Sequence, residues 1–166
     1  MASERIFAKL NTALRSVSMR KLKVYLDNCC FNRPYDDQSQ AKVSFETQAK
    51  LYIQELVLNK EIDLVWSYVL KFENSQNIFE AKKIAIARWE GLSDQFIGKS
   101  DQLIELAKYV MTTGVKEFDA LHIACAITGG CDYFITVYKR ALKYQDKRIK
   151  VCNPIEFIND YGGDAE

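Results

Sequence analysis

Four short apolar runs, at residues 22–26, 62–67, 131–136 and 149–153, alternate with stretches of helical periodicity, and this alternation constrains the fold more than any other feature. The runs read LKVYL, IDLVWS, CDYFIT and IKVCN. They are rich in β-branched and aromatic residues and apolar on both faces, as strands buried in a parallel sheet are. Parallel neighbours need long crossovers, which helices supply in a right-handed sense. The class expected is therefore α/β, a parallel sheet covered by helices on both faces.

Periodicity predicts helices over residues 37–58, 67–76, 77–88, 94–112 and 116–128, a basic helix at 139–144 and a turn of helix at 155–158. Ser67 opens the second of these, and Gly91, Gly114 and the Gly129–Gly130 pair act as stops. Ile6, Leu10, Leu14 and Val17 fall on one helical face. Residues 1–20 therefore read as a helical appendage to a domain at 21–158, with a leader peptide as the alternative for 1–18. Residues 159–166, which end in GGDAE, read as a disordered tail.

A chain of 166 residues is the size of one domain. Its longest apolar runs fall far short of the roughly 18 residues a membrane span requires, so no membrane association is expected. Cys29, Cys30, Cys125, Cys131 and Cys152 lack metal-finger spacing, and no secretory leader precedes them. Reduced thiols in a cytoplasmic protein follow. A net charge of +1 gives no global attraction for nucleic acid, yet Lys and Arg concentrate in residues 1–23 and 139–150. Such stretches either track a phosphate backbone or form solvated faces.

No glycine-rich loop follows any strand, which removes dinucleotide and P-loop chemistry. The one histidine, His122, lies in an apolar helix and reads as a packed side chain, so a Ser-His-Asp triad is set aside. Acids remain. Asp27 ends the first strand, Glu73 follows the second, and Asp119 sits in the first turns of the 116–128 helix. An ionised carboxylate at a buried strand end is costly unless paired or metal-bound, and in open α/β sheets the carboxyl ends of the strands are where ligands bind.

The strings YLDNCCFNRP, VLKFEN, FDALHIACA and CDYFIT, in this order and spacing, resemble the PIN-domain family, and most closely its small VapC-like members. The resemblance runs from about Lys21 to Phe157. It implies a three-layer α/β/α fold with a central parallel sheet of about four or five strands. It also implies a nuclease in which Asp27, Glu73 and Asp119 hold Mg²⁺ or Mn²⁺, with Asn28 and Thr136 supporting the site. Lys139, Arg140 and Lys143 would contact phosphate. Clustered carboxylates need a cation, and oxygen ligands suit these hard ions.

One departure stands out. Where the family pattern places an acid after the third of these runs, this chain has Tyr138, followed by Lys139 and Arg140. Asp132 lies four residues before Thr136, about 13 Å away at ~3.3 Å per residue, and Asp146 would serve only if its loop folded back.

Three readings follow. The first is a metal-dependent single-strand endoribonuclease, possible toxin of a toxin–antitoxin pair, with RNA, an antitoxin protein and a second copy of the chain as partners. The second is a degenerate PIN domain that binds RNA or protein without cutting. The third is a metal-dependent phosphatase, or an unrelated α/β protein whose acids are structural; the motif order argues against it.

Overall fold

The computed structural model describes residues 20–163, so all but the last residue of the expected appendage at 1–20, and the last three residues of the chain, lie outside the described part. Five parallel strands form one sheet in the order β3-β2-β1-β4-β5. They are β1 (Lys23–Leu26), β2 (Asp63–Ser67), β3 (Gln95–Ile97), β4 (Tyr133–Ile135) and β5 (Lys150–Cys152). Among the described residues seven helices accompany them: α1 (Asn28–Asn32), α2 (Ala41–Leu58), α3 (Tyr68–Ser75), α4 (Glu80–Leu92), α5 (Asp101–Met111), α6 (Glu117–Thr128) and α7 (Pro154–Gly163).

The sheet is laid outward from its centre. Val24 pairs with Leu64 on one side and with Tyr133 on the other, so β1 is the middle strand. The chain runs from β1 out to β2 and β3, then returns through α5 and α6 to β4 on the far side of β1. With right-handed crossovers, this reversal sends α5 and α6 to the opposite face from α2. The result is a three-layer α/β/α sandwich, in which α2 packs against α7 and α5 against α6. A reversal of this kind opens a crevice at the carboxyl ends of the two strands beside it. Here those strands are β1 and β4.

The core is aromatic at the sheet. Tyr25, Trp66, Phe134 and Phe157 are buried, with Tyr25 5.6 Å from Phe134 and Phe31 5.1 Å from Trp66 between ring centroids. At the end of α6, a Cβ on Gly129 would stand 3.1 Å from Val65, and Gly130 takes a left-handed φ of +68° to turn the chain into β4. Both glycine stops read from the sequence thus have a steric reason.

Several expectations need correction. A fifth strand, β3, occupies the start of the predicted 94–112 helix. It is an edge strand of three residues with Phe96 half-exposed, too short to show alternation, and the side chain of Asp94 anchors it by accepting from Leu64 N–H at 2.9 Å. The segment after Asp27, for which periodicity predicts no helix, is the short helix α1 followed by a 3-10 turn at Arg33–Tyr35. The basic segment 139–144 is reduced to a 3-10 turn, Ala141–Lys143. Gly91 lies inside α4 and does not stop it.

Residues 159–163, expected as part of a disordered tail, continue α7. They are tied down by Tyr161, whose ring stacks on Phe157 at 5.9 Å and whose hydroxyl donates to Glu61 at 3.1 Å.

Candidate metal centre

Asp27 sits at the junction of β1 and α1, where a strand end and a helix start fix its backbone. Its N–H donates to Ile135 O on β4 at 2.9 Å, and its C=O accepts from Cys30 N–H at 2.9 Å. The side chain is only 2% exposed. Its Oδ2 accepts from Thr136 Oγ1 at 2.8 Å and from Cys29 Sγ at 3.3 Å. Burial holds the Cys29 thiol well above its ordinary range, so it stays protonated and able to donate. Thr136 is itself fixed by Tyr138, whose N–H donates to Oγ1 at 3.2 Å.

Glu73 approaches from α3. That helix begins where Ser67, the last residue of β2, caps it by accepting from Leu70 N–H at 3.1 Å. Ser67 Oγ also lies 2.6 Å from Tyr25 Oη, and Tyr25 Oη lies 2.6 Å from His122 Nδ1. The hydroxyl that starts α3 therefore also ends a buried chain leading to the imidazole. Ser67 is fully buried, which rules it out as an exposed nucleophile.

His122 lies between the acids. Its Nε2 is 3.0 Å from Glu73 Oε1 and 3.7 Å from Asp27 Oδ1, and the residue is 1% exposed. Nε2 stands at ion-pair distance from Glu73 but makes no hydrogen bond of good geometry to a described residue. Burial works against charging this imidazole. The carboxylate of Asp27, and then that of Glu73, outweigh burial and hold its pKa above the ordinary histidine value. Asp27, Glu73 and His122 each offer a donor atom, all within 4.8 Å of one another. Two carboxylates beside a buried nitrogen without a partner fit a divalent cation chemically.

Asp119 stands beside this trio and does not join it in the observed arrangement. It is 4% exposed, in the first turn of α6, and its Oδ2 accepts from Arg140 Nε at 2.7 Å. Arg140 also covers the Tyr138 ring, with Cζ 5.4 Å from the centroid. Tyr138 is half-exposed at the mouth of the site. Burial first, and then the nearby carboxylates of Asp27, Glu73 and Asp119, push its phenol up to about 12, so it remains a donor.

The other candidates divide. Thr136 meets Asp27 directly, as above. Asn28 does not: its Oδ1 is buried with no partner among the described residues, and its C=O accepts from Asn32 Nδ2. Lys139 and Lys143 are exposed on the loop after β4 and make no ion pair with a described residue. Neither Asp132 nor Asp146 replaces the missing acid. Asp132 accepts from Lys23 N–H at the opposite end of β1, and Asp146 is held by Tyr144 and Arg148.

His122 is the residue that sequence reasoning set aside. Its one available signal was its position three residues after Asp119, which places both on one face of a helix.

No protein-family model matches the chain, and no curated protein matches it. Among solved structures, the chain is similar to one in the crystal structure of VapBC2 from Rickettsia felis bound to a DNA fragment from their promoter. The TM-score is 0.51 at 12% sequence identity, over 80% of this chain and 98% of that one. The likeness covers the three-layer α/β/α, PIN-like fold.

Proposed function

We propose that this chain is a metal-dependent endoribonuclease of PIN type, acting on single-stranded RNA as the toxin of a toxin–antitoxin pair. The observation that carries the reading is the convergence of buried Asp27 with Glu73 at the carboxyl edge of the central strand, with Asp119 close by. Asp27 and Glu73 would hold Mg²⁺ or Mn²⁺, and Asp119 would add its charge once Arg140 turns to substrate. A cation bound there supplies Lewis acidity toward a phosphodiester.

The chain's own groups do the rest. Thr136 and Cys29 hold one oxygen of Asp27 and leave the other facing inward. Arg140, Lys139 and Lys143 lie where phosphates of a bound strand would pass. Phe72 and Phe118, adjacent in sequence to Glu73 and Asp119, stack at 6.3 Å with an interplanar angle of 11° and are half-exposed. These exposed rings, like that of Tyr138, are ones on which unpaired bases can stack.

The VapC-like strings and the fold likeness to VapBC2 both support an antitoxin protein as partner. Exposed Phe45, Leu51 and Tyr52 on α2, and Ile78, Phe79 and Ile84 at α4, offer apolar surface for it or for a second copy.

Asp27→Asn should lower RNA cleavage in Mg²⁺ or Mn²⁺ at least a hundredfold, measured on generic single-stranded RNA. Undiminished cleavage would sink the assignment. A second reading, a PIN domain that binds RNA without cutting, is favoured by one observation: Arg140 occupies Asp119, and Tyr138 stands where an acid is expected. RNA binding retained in EDTA, with no cleavage in Mn²⁺, would select it.

A further inference from the structure

We infer that His122 Nε2 is a direct ligand in the cation site, making it a mixed set of two carboxylates and one imidazole that prefers a transition ion of the Mn²⁺-to-Zn²⁺ series over Mg²⁺. The inference needs only that a divalent cation binds at Asp27 and Glu73. It does not depend on what the bound cation is used for.

Two independent features point the same way. The first is spacing. Ligand atoms about 2.1 Å from a common ion stand roughly 3 to 4 Å from one another in octahedral or tetrahedral geometry. Nε2 lies 3.0 Å from Glu73 Oε1 and 3.7 Å from Asp27 Oδ1, both inside that range.

The second is the orphaned nitrogen. Nε2 is buried at the focus of the two acids and makes no hydrogen bond to a described residue, whereas Nδ1 is occupied by Tyr25 Oη at 2.6 Å. A ligating histidine commonly has this division, with one nitrogen free for the ion and the other fixed by a neighbour that sets the tautomer. With the proton on Nδ1, the imidazole donates to Tyr25 Oη and Tyr25 donates onward to Ser67 Oγ. The Nε2 lone pair then faces Asp27 and Glu73.

The buried chain Ser67–Tyr25–His122 thus acquires a role that packing alone does not require. It aims the ring and is anchored on the residue that caps the helix carrying Glu73. Mg²⁺ favours oxygen donors and retained water, whereas imidazole favours later first-row ions. Replacing one oxygen donor by Nε2 therefore shifts the preference toward the latter.

Because the chain contains a single histidine, isotope labelling tests the ligand without a substitution in the core. Mn²⁺ would be added to the full-length protein and to a sample labelled with 15N only in histidine. Pulsed electron paramagnetic resonance then reads nitrogen coupling to the bound ion. Coupling that changes from a 14N to a 15N pattern on labelling, with about tenfold or greater excess of Mg²⁺ needed to displace the Mn²⁺, is the expected result. Mn²⁺ bound with no histidine nitrogen coupling overturns the inference and leaves a carboxylate-only site for the proposed nuclease. No Mn²⁺ binding at all overturns both.

Discussion

At the residue scale, the site is a balance of charges in which Arg140 does a job the missing acid would have reversed. It neutralises Asp119 through a 2.7 Å ion pair, and the pair is half-open to solvent on the arginine side. Arg140→Ala should therefore act in two opposite senses. Cation affinity, read by isothermal titration with Mn²⁺, should rise up to about fivefold, the size of an ordinary exposed charge interaction. RNA affinity should fall over the same change, with a shallower dependence on salt. Unchanged cation affinity would mean that Asp119 plays no part in the site. Asp27 stands out in the sequence because a carboxylate ending a buried apolar run has few reasons to be there, whereas Glu73 and Asp119 are singled out only by the family resemblance. His122 was not legible, because its chemistry depends on the approach of β1 and α3, and in its own helix, EFDALHIACAIT, it is surrounded by core residues. Nor does any local pattern reveal that Tyr25, which reads as a core aromatic, places its hydroxyl on that ring.

At the element scale, what could be read from the sequence was the long periodic or strongly apolar segments, and what could not was short. The four strands and the main helices have patterns several residues long. In contrast, β3 is three residues at an edge, where one side needs no partner and the polar Gln95 and exposed Phe96 give no burial signal. The helix after Asp27 was hidden because NCCFN has ordinary loop composition and is held by tertiary contact, including a Cys30 Sγ donation to Ile135 O. The end of α2 carries a testable strain. Lys60 adopts φ +62°, with its N–H on Val57 O and the next N–H on Leu56 O, the bonding of a left-handed helix stop that glycine serves best. Lys60→Gly relieves a cost of roughly 1–2 kcal/mol against an entropic loss of about half that. A net gain of about 0.5–1 kcal/mol in denaturant unfolding is expected; a loss would show that the Lys60–Asp94 pair at 3.7 Å matters more than the backbone.

At the scale of the whole molecule, the two edges of the sheet are specialised. The carboxyl edge gathers Asp27 and Glu73 around one imidazole, with Asp119 paired to Arg140, whereas the amino edge is knitted by Asp132 to Arg20 and Lys23 and by Asp146 to Arg148 and Tyr144. The Arg148 guanidinium, with help from Tyr144, holds the Asp146 carboxyl far below the usual carboxylate range. A depressed folded-state pKa gives stability that is present above the unfolded value near 4 and is lost as pH falls below it. Asp146→Asn should thus cost about 1 kcal/mol at neutral pH and clearly less near pH 2, where part of the contribution has been lost, as read by unfolding at both. An equal cost at both would assign the effect to shape and not charge. The strand order has a consequence in time as well as in space. Because β1 is central and β4 returns to it last, Asp27 is synthesised early, whereas Asp119, His122 and Thr136 belong to the final third of the chain. Synthesis proceeds residue by residue from the amino end, so a nascent polypeptide carries its first acid long before anything can be assembled around it. A ribosome making this protein is handling an unassembled site almost until the last strand is in place.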